Sequence, residues 1–178
     1  MTSPQLGRPG VVSVAGWALV GGAALIAAGM AMETNEYFVS VKVYEDAVAD
    51  GTVTSGLFEG LSSLFVLAEV TFVFGLAVAL ATLAVRTARG VPGARTAAWV
   101  LAVVAMLCPS ASLSGRARDS VGTAGVVQRG VEASLPQWYI PAHIGIEAAA
   151  LLCLIAGLVL LMTPAARRYF RPAPVSAA

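Results

Sequence analysis

Charge is scarce in this chain, and so are the residues that most often do chemistry. It has one histidine and two cysteines, and Lys42 is its one lysine. Charged residues make up 12% of the sequence against 58% hydrophobic ones, too apolar a balance for a soluble core of this size. With no Cys-x-x-Cys pair and no Cys/His cluster, structural zinc and dithiol redox chemistry lack ligands. A net charge of +1 without any long basic run gives no field that would recruit nucleic acid. No serine or cysteine stands near a base in an arrangement that would activate it. The sequence therefore does not read as an enzyme, and no motif in it calls for a cofactor.

What the chain has in abundance is uninterrupted apolar sequence. Runs at 11–32, 61–85, 96–111 and 140–163 reach or approach the ~20 residues that a helix needs to cross ~30 Å of hydrocarbon. The expected fold is all-α: an integral membrane four-helix bundle with the lipid bilayer as its main partner. The domain division follows, with tails at 1–10 and 172–178 flanking one transmembrane domain at 11–171. The first run is too long for the core of a secretory signal, although Gly29-Met30-Ala31 offers a weak small-x-small cleavage pattern.

The distribution of charge sets the expected orientation. Arg86, Arg89 and Arg95 stand without an acid in the turn between the second and third runs, and Arg167, Arg168 and Arg171 do so after the fourth. Cytoplasmic loops are the ones enriched in arginine. The 33–60 loop instead carries Glu33, Glu36, Glu45, Asp46, Asp50 and Glu59 against Lys42, one minus six or −5, and is expected outside. Both termini are then cytoplasmic and the protein multi-pass in the inner (plasma) membrane. Trp17, Trp99, Trp138, Tyr139, Tyr169 and Phe170 fall near span ends, where amphipathic rings favour the headgroup level.

Between the spans, Tyr37, Val41, Tyr44 and Val48 recur at helical spacing, which predicts a short amphipathic helix in the first outer loop. The second outer loop, 116–137, is polar and glycine-containing and reads as exposed. Pro109 either kinks or ends the third span early. Cys108 and Cys153 lie within spans and read as free thiols, with a disulfide as the alternative if their Cα atoms approach within about 7 Å. Ala15-Gly16-Trp17-Ala18-Leu19 echoes Ala97-Ala98-Trp99-Val100-Leu101, which reads as coincidence in so alanine-rich a chain, with two hairpins as parallel repeats of one another as the alternative.

Two acids fall inside the spans, Glu69 and Glu147, and the one histidine, His143, stands a helical turn before Glu147. An ionisable side chain at mid-bilayer costs about 2.5–3.5 kcal/mol on insertion scales and marks a functional position by default. On the expected topology Glu69 and Glu147 lie at matching depths, about 10–12 Å below the outer edge at 1.5 Å per residue, so they and His143 are candidates to meet. Such a trio can relay protons or bind a cation. A divalent metal site has less support, because the spacing is unfamiliar. A neutral glutamate can also do no more than hydrogen-bond a neighbouring helix and fix its packing. On span four, Gly145, Ala149, Cys153 and Gly157 form a small-xxx-small ridge that permits close helix approach, within the chain or between two copies.

The stretch Leu135-Pro136-Gln137-Trp138-Tyr139, the apolar helix after it and Thr163-Pro164-Ala165-Ala166-Arg167-Arg168-Tyr169-Phe170-Arg171 resemble the end of uncharacterised actinobacterial four-span integral membrane proteins. Arg8-Pro9-Gly10-Val11-Val12 and the arginine-rich turn before Trp99 are similar as well. The resemblance implies a four-helix membrane fold and no activity. Two functional readings follow from the residues themselves. The first is a structural, interaction or accessory subunit, partnered by a second copy or another membrane protein. The alternative is a proton- or cation-coupled transport component using Glu69, His143 and Glu147. The topology beneath both is testable. Single-cysteine variants Arg89→Cys and Arg168→Cys, in a background without Cys108 and Cys153, should react with an impermeant thiol reagent from the cytoplasmic face alone. Reaction from opposite faces would overturn the four-span arrangement.

Overall fold

The computed structural model describes residues 10–52, 58–91, 93–116 and 123–170, all in helices and their connecting turns. The order is α1 (Gly10–Ala49), α2 (Phe58–Ala88), α3 (Ala94–Arg116), α4 (Thr123–Ser134), α5 (Tyr139–Met162) and α6 (Pro164–Tyr169). Three helices are long and apolar enough to cross a membrane: α1, α2 over Leu67–Ala88, and α5. A shorter apolar helix spans Ala94–Leu107 of α3. Helices suit a lipid solvent because they satisfy their own backbone groups. Thr71 and Thr82 on α2 add to this, each donating its hydroxyl to the carbonyl four residues back, Leu67 and Val78, at 2.8 Å.

The outward surface is apolar. Trp17, Phe72, Phe74, Leu107 and Leu152 are all more than half exposed, and such a continuous apolar exterior is stable only against lipid. The inward surface is built largely of small residues. Ala94, Ala98, Ala102 and Ala105 line the buried face of α3, and Val73, Leu76, Ala77, Leu80 and Ala84 that of α2. α1 packs against α5 and α2, and α3 against α2 and α5.

The α1–α5 pair organises the rest. Val12, Leu19 and Ile26 are buried at seven-residue intervals on α1, each followed three residues later by a small buried residue, Ala15, Gly22 and Gly29. On α5, His143, Ala150 and Gly157 form one such series and Glu147, Leu154 and Leu161 a second. A sustained seven-residue repeat is the signature of helices packed side by side along a seam. Two glycines permit the close approach. A Cβ on Gly157 would stand 2.9 Å from Leu19, and one on Gly22 would stand 2.9 Å from Leu154. Each helix thus presses a leucine into a glycine notch on the other, the small-residue contact that lets membrane helices gain dispersion energy. Of the predicted ridge, Gly157 is buried in this seam and Ala149 and Cys153 are half-buried. Gly145 is exposed, with open space around it.

Two features differ from the sequence expectation. The amphipathic stretch after Met32 is helical but is no separate element, since it continues α1 to Ala49 without a break. At 1.5 Å per residue, the 40 residues of α1 run about 60 Å, roughly twice the hydrocarbon thickness. The predicted polar loop near residue 130 contains α4, which packs on the far part of α1. Gly130 allows that contact, for a Cβ there would lie 2.5 Å from Val43. α4 and α5 in succession therefore accompany most of α1. α3 continues through Pro109 to Arg116, so that proline does not end it. Cys153 is a free thiol, while the side chain of Cys108 lies outside the described residues.

Helix ends follow local chemistry. Gly51 and Gly90 both adopt φ +72°. Around them the bonds Gly51 N–H to Val48 O and Thr52 N–H to Ala47 O, and Gly90 N–H to Thr87 O and Val91 N–H to Arg86 O, close α1 and α2 with the paired bonds of a Schellman cap. Thr163 caps α6, its hydroxyl oxygen accepting from the Ala166 N–H, and Pro164 follows at a position where no N–H is needed.

The glycine notches yield a clear expectation. Gly157→Val should destabilise the fold by about 1–3 kcal/mol through overpacking, whereas Gly145→Ala should leave it unchanged. Thermal unfolding in detergent checks both, and equal midpoints would refute the notched seam.

Candidate functional site

Toward the end of the seam away from Leu19 and Gly157, the same repeat delivers polar residues. Glu33 stands seven residues after Ile26, and Glu36 three residues later. His143 and Glu147 hold the facing positions on α5 and are buried, at 0% and 5% exposure. The seam that brings Leu19 to Gly157 thus brings α1 carboxylates to the α5 histidine.

A polar clamp sets the register there. The buried Tyr139 donates its hydroxyl to the Met32 carbonyl at 2.5 Å and accepts from the Asn35 side-chain amide at 3.2 Å. Tyr139 lies one turn before His143 and two before Glu147 on the same face of α5, so fixing it against Met32 fixes the other two against Glu33 and Glu36. Pro141, in the first turn of α5, removes an N–H that has no helical partner there.

His143 lies between acids from both helices. Its Nδ1 is 3.7 Å from a Glu36 carboxylate oxygen and its Nε2 is 3.5 Å from Glu147 Oε1. Glu33, His143 and Glu147 each bring a ligand atom within 4.8 Å of the others'. One imidazole nitrogen and two carboxylates suit a proton or a metal cation, the imidazole favouring the transition series and the carboxylates harder ions. Below the acids lies a small, partly open cavity of about 30 Å³. Glu33 and Glu147 share its lining with Leu25, Ile26, Gly29 and Met30 of α1, Val73 of α2 and Ala150 of α5.

Of the three residues singled out from sequence, the structure brings together His143 and Glu147. Glu69 is exposed on α2 and is not among the described residues whose ligand atoms gather. Hydropathy alone places Glu33 and Glu36 in the outer loop, because the first apolar run stops at Met32. The seven-residue spacing from Leu19 through Ile26 to Glu33 was the signal that could have placed Glu33 on the buried face.

Compared with protein families, curated proteins and solved structures, the chain matches none. The likeness to actinobacterial four-span proteins therefore stays a likeness of short motifs, and the site has to be read from its own geometry.

The clamp can be tested directly. Tyr139→Phe keeps the ring and removes the hydroxyl, which should cost about 0.5–1.5 kcal/mol in thermal unfolding of the detergent-solubilised protein. No loss would mean that the hydroxyl does not hold α5 against α1.

Proposed function

We propose that this multi-pass membrane protein binds a cation, proton or metal, between α1 and α5 and serves as a component of proton- or cation-coupled transport. The observation that carries this reading is the convergence of Glu33, His143 and Glu147, with ligand atoms within 4.8 Å of one another, His143 fully buried and Glu147 nearly so. Burying an ionisable group at a helix interface is costly unless it is compensated. A seam that could be closed with leucine, as it is at Leu154 and Leu161, instead carries acids from two helices around the sole histidine. A purely structural or accessory role would not call for that arrangement.

The reading extends to topology. Four spans, with α3 as the fourth, and both termini in the cytoplasm place the site at the outer side of the bundle, where Glu36 is partly exposed and leads inward to His143. An ion arriving from outside would meet Glu36 first, then His143, then Glu33 and Glu147 above the cavity. Four helices alone enclose little space, so passage across the full membrane calls for a second copy or another membrane subunit.

The test is reconstitution into proteoliposomes, with entrapped dyes reporting proton entry and Zn²⁺ entry down imposed gradients. Wild-type protein should carry at least one of the two. Glu147→Gln and His143→Gln should each reduce that flux tenfold or more while leaving the yield of folded protein unchanged, and Glu69→Gln serves as an outward-facing comparison. Flux that is absent in the wild type, or equal in wild type, Glu147→Gln and His143→Gln, would overturn the proposal.

A further inference from the structure

The arrangement around His143 points to the class of cation. We infer that Glu33, His143 and Glu147 hold a divalent metal of the zinc type, four-coordinate through His143 Nε2, the two carboxylates and one water, and that Glu36 fixes the imidazole from its other nitrogen. This inference rests on the cation site proposed above and specifies its cargo.

Spacing supports it first. His143 and Glu147 stand four residues apart on one face of α5, a separation at which two side chains of a helix can chelate one ion. His143 Nε2 lies 3.5 Å from Glu147 Oε1, longer than the ~2.9 Å of an N–H···O hydrogen bond. It is close to the ~3.3 Å that separates two ligands of a tetrahedral ion bound at about 2.0–2.1 Å. Glu33 brings an oxygen from α1 within 4.8 Å of the ligand atoms of both, and closing that gap takes only a turn of a flexible side chain.

The two nitrogens of the imidazole support it next. Nδ1 faces a Glu36 carboxylate oxygen at 3.7 Å while Nε2 faces Glu147. A histidine that ligates a metal through one nitrogen gives its other N–H to a carboxylate or a carbonyl, which fixes the ring and its tautomer and raises its basicity. Glu36 stands where that partner belongs. A divalent ion also cancels the charge of Glu33 and Glu147, and a neutral inner site is the cheaper one to bury.

Room and ligand type exclude the harder ions. The cavity that Glu33 and Glu147 border measures about 30 Å³, enough for a water or two, and the rest of its wall is apolar. A metal held by three side chains takes its fourth ligand there as one water. Magnesium keeps several waters and calcium takes six to eight oxygens, more than this space and these carboxylates supply. The imidazole nitrogen favours zinc and the transition series over both.

The experiment is metal titration of the detergent-solubilised full chain, with Co²⁺ as the spectroscopic probe and Zn²⁺, Mg²⁺ and Ca²⁺ as competitors. One Co²⁺ should bind per chain and give the intense visible absorption of a tetrahedral centre, without the sulfur charge-transfer band that Cys108 or Cys153 would add. Zn²⁺ should displace it, and Mg²⁺ and Ca²⁺ should need at least a hundredfold higher concentration to do so. His143→Ala and Glu33→Gln should each weaken Co²⁺ binding tenfold or more. Glu36→Ala should weaken it by about ten- to a hundredfold with the tetrahedral spectrum retained, and Glu69→Gln should change nothing.

An octahedral cobalt spectrum, a sulfur charge-transfer band, or displacement by Ca²⁺ or Mg²⁺ as readily as by Zn²⁺ would each overturn the inference. Unchanged affinity in Glu36→Ala would overturn the part assigned to Glu36. Absence of Co²⁺ and Zn²⁺ binding, with proton flux in proteoliposomes still lost in Glu147→Gln, overturns the metal and leaves the site standing as one for protons. Absence of both metal binding and proton flux brings down the cation site itself. The competition series uses unaltered protein, so it decides the matter even where a variant fails to fold.

Discussion

Everything distinctive about this protein depends on the antiparallel seam between α1 and α5. Over the part nearest the start of α1 the seam is closed by exchange of leucines and glycine notches, Leu19 into Gly157 and Leu154 into Gly22. In lipid there is no hydrophobic force to drive such an approach, so contact area and small residues must supply it. Once that part is locked, the seven-residue repeat leaves no freedom farther along. Glu33 and Glu36 must face His143 and Glu147, because a shift of one residue would misalign every leucine with its notch. The rigid apolar contact is what makes the polar one obligatory.

That geometry explains how carboxylates survive in an apolar bundle. An isolated buried carboxylate pays a large desolvation penalty, and a carboxylate beside a histidine recovers part of it. Here His143 has an acid on each ring nitrogen, Glu36 and Glu147, with Glu33 alongside. Three acids gather at one imidazole, and Glu33, His143 and Glu147 bring ligand atoms within 4.8 Å of one another, the geometry on which the proposed cation or shared-proton site rests.

The fold was largely legible in the sequence because its main signal, long apolar runs, survives without tertiary context. The helical character of the stretch around Tyr37 and Tyr44 was readable from its spacing, and the Gly90 turn and the Thr163-Pro164 break from their residues. Helix limits were less readable. A hydropathy reading stops at the first acid, so it ended span one at Met32 and assigned Glu33 and Glu36 to solvent, whereas the backbone continues to Ala49. α4 was missed for a related reason: its 123–134 segment is polar, with Arg129 and Glu132, and is held against α1 through Gly130 and Val43, a contact that no local pattern announces. His143 and Glu147 were readable as intramembrane polar groups, one turn apart. Their partners were not, because depth alone made Glu69 an equal candidate, and depth says nothing of which way a side chain faces around its helix.

The rotational setting of α2 is therefore as informative as that of α1. Val73, Leu76 and Leu80 turn inward from α2 and are buried. Glu69 lies four residues before Val73 yet is exposed, while Val73 itself reaches the cavity wall. α2 thus contributes hydrocarbon to the cavity and withholds its acid. The rest of the lining, Leu25, Ile26, Gly29 and Met30 of α1 and Ala150 of α5, is apolar as well, so Glu33 and Glu147 supply the charge at its wall. Which face of each helix the core residues claim therefore decides which acids gather at His143: those of α1 and α5, and not the one on α2.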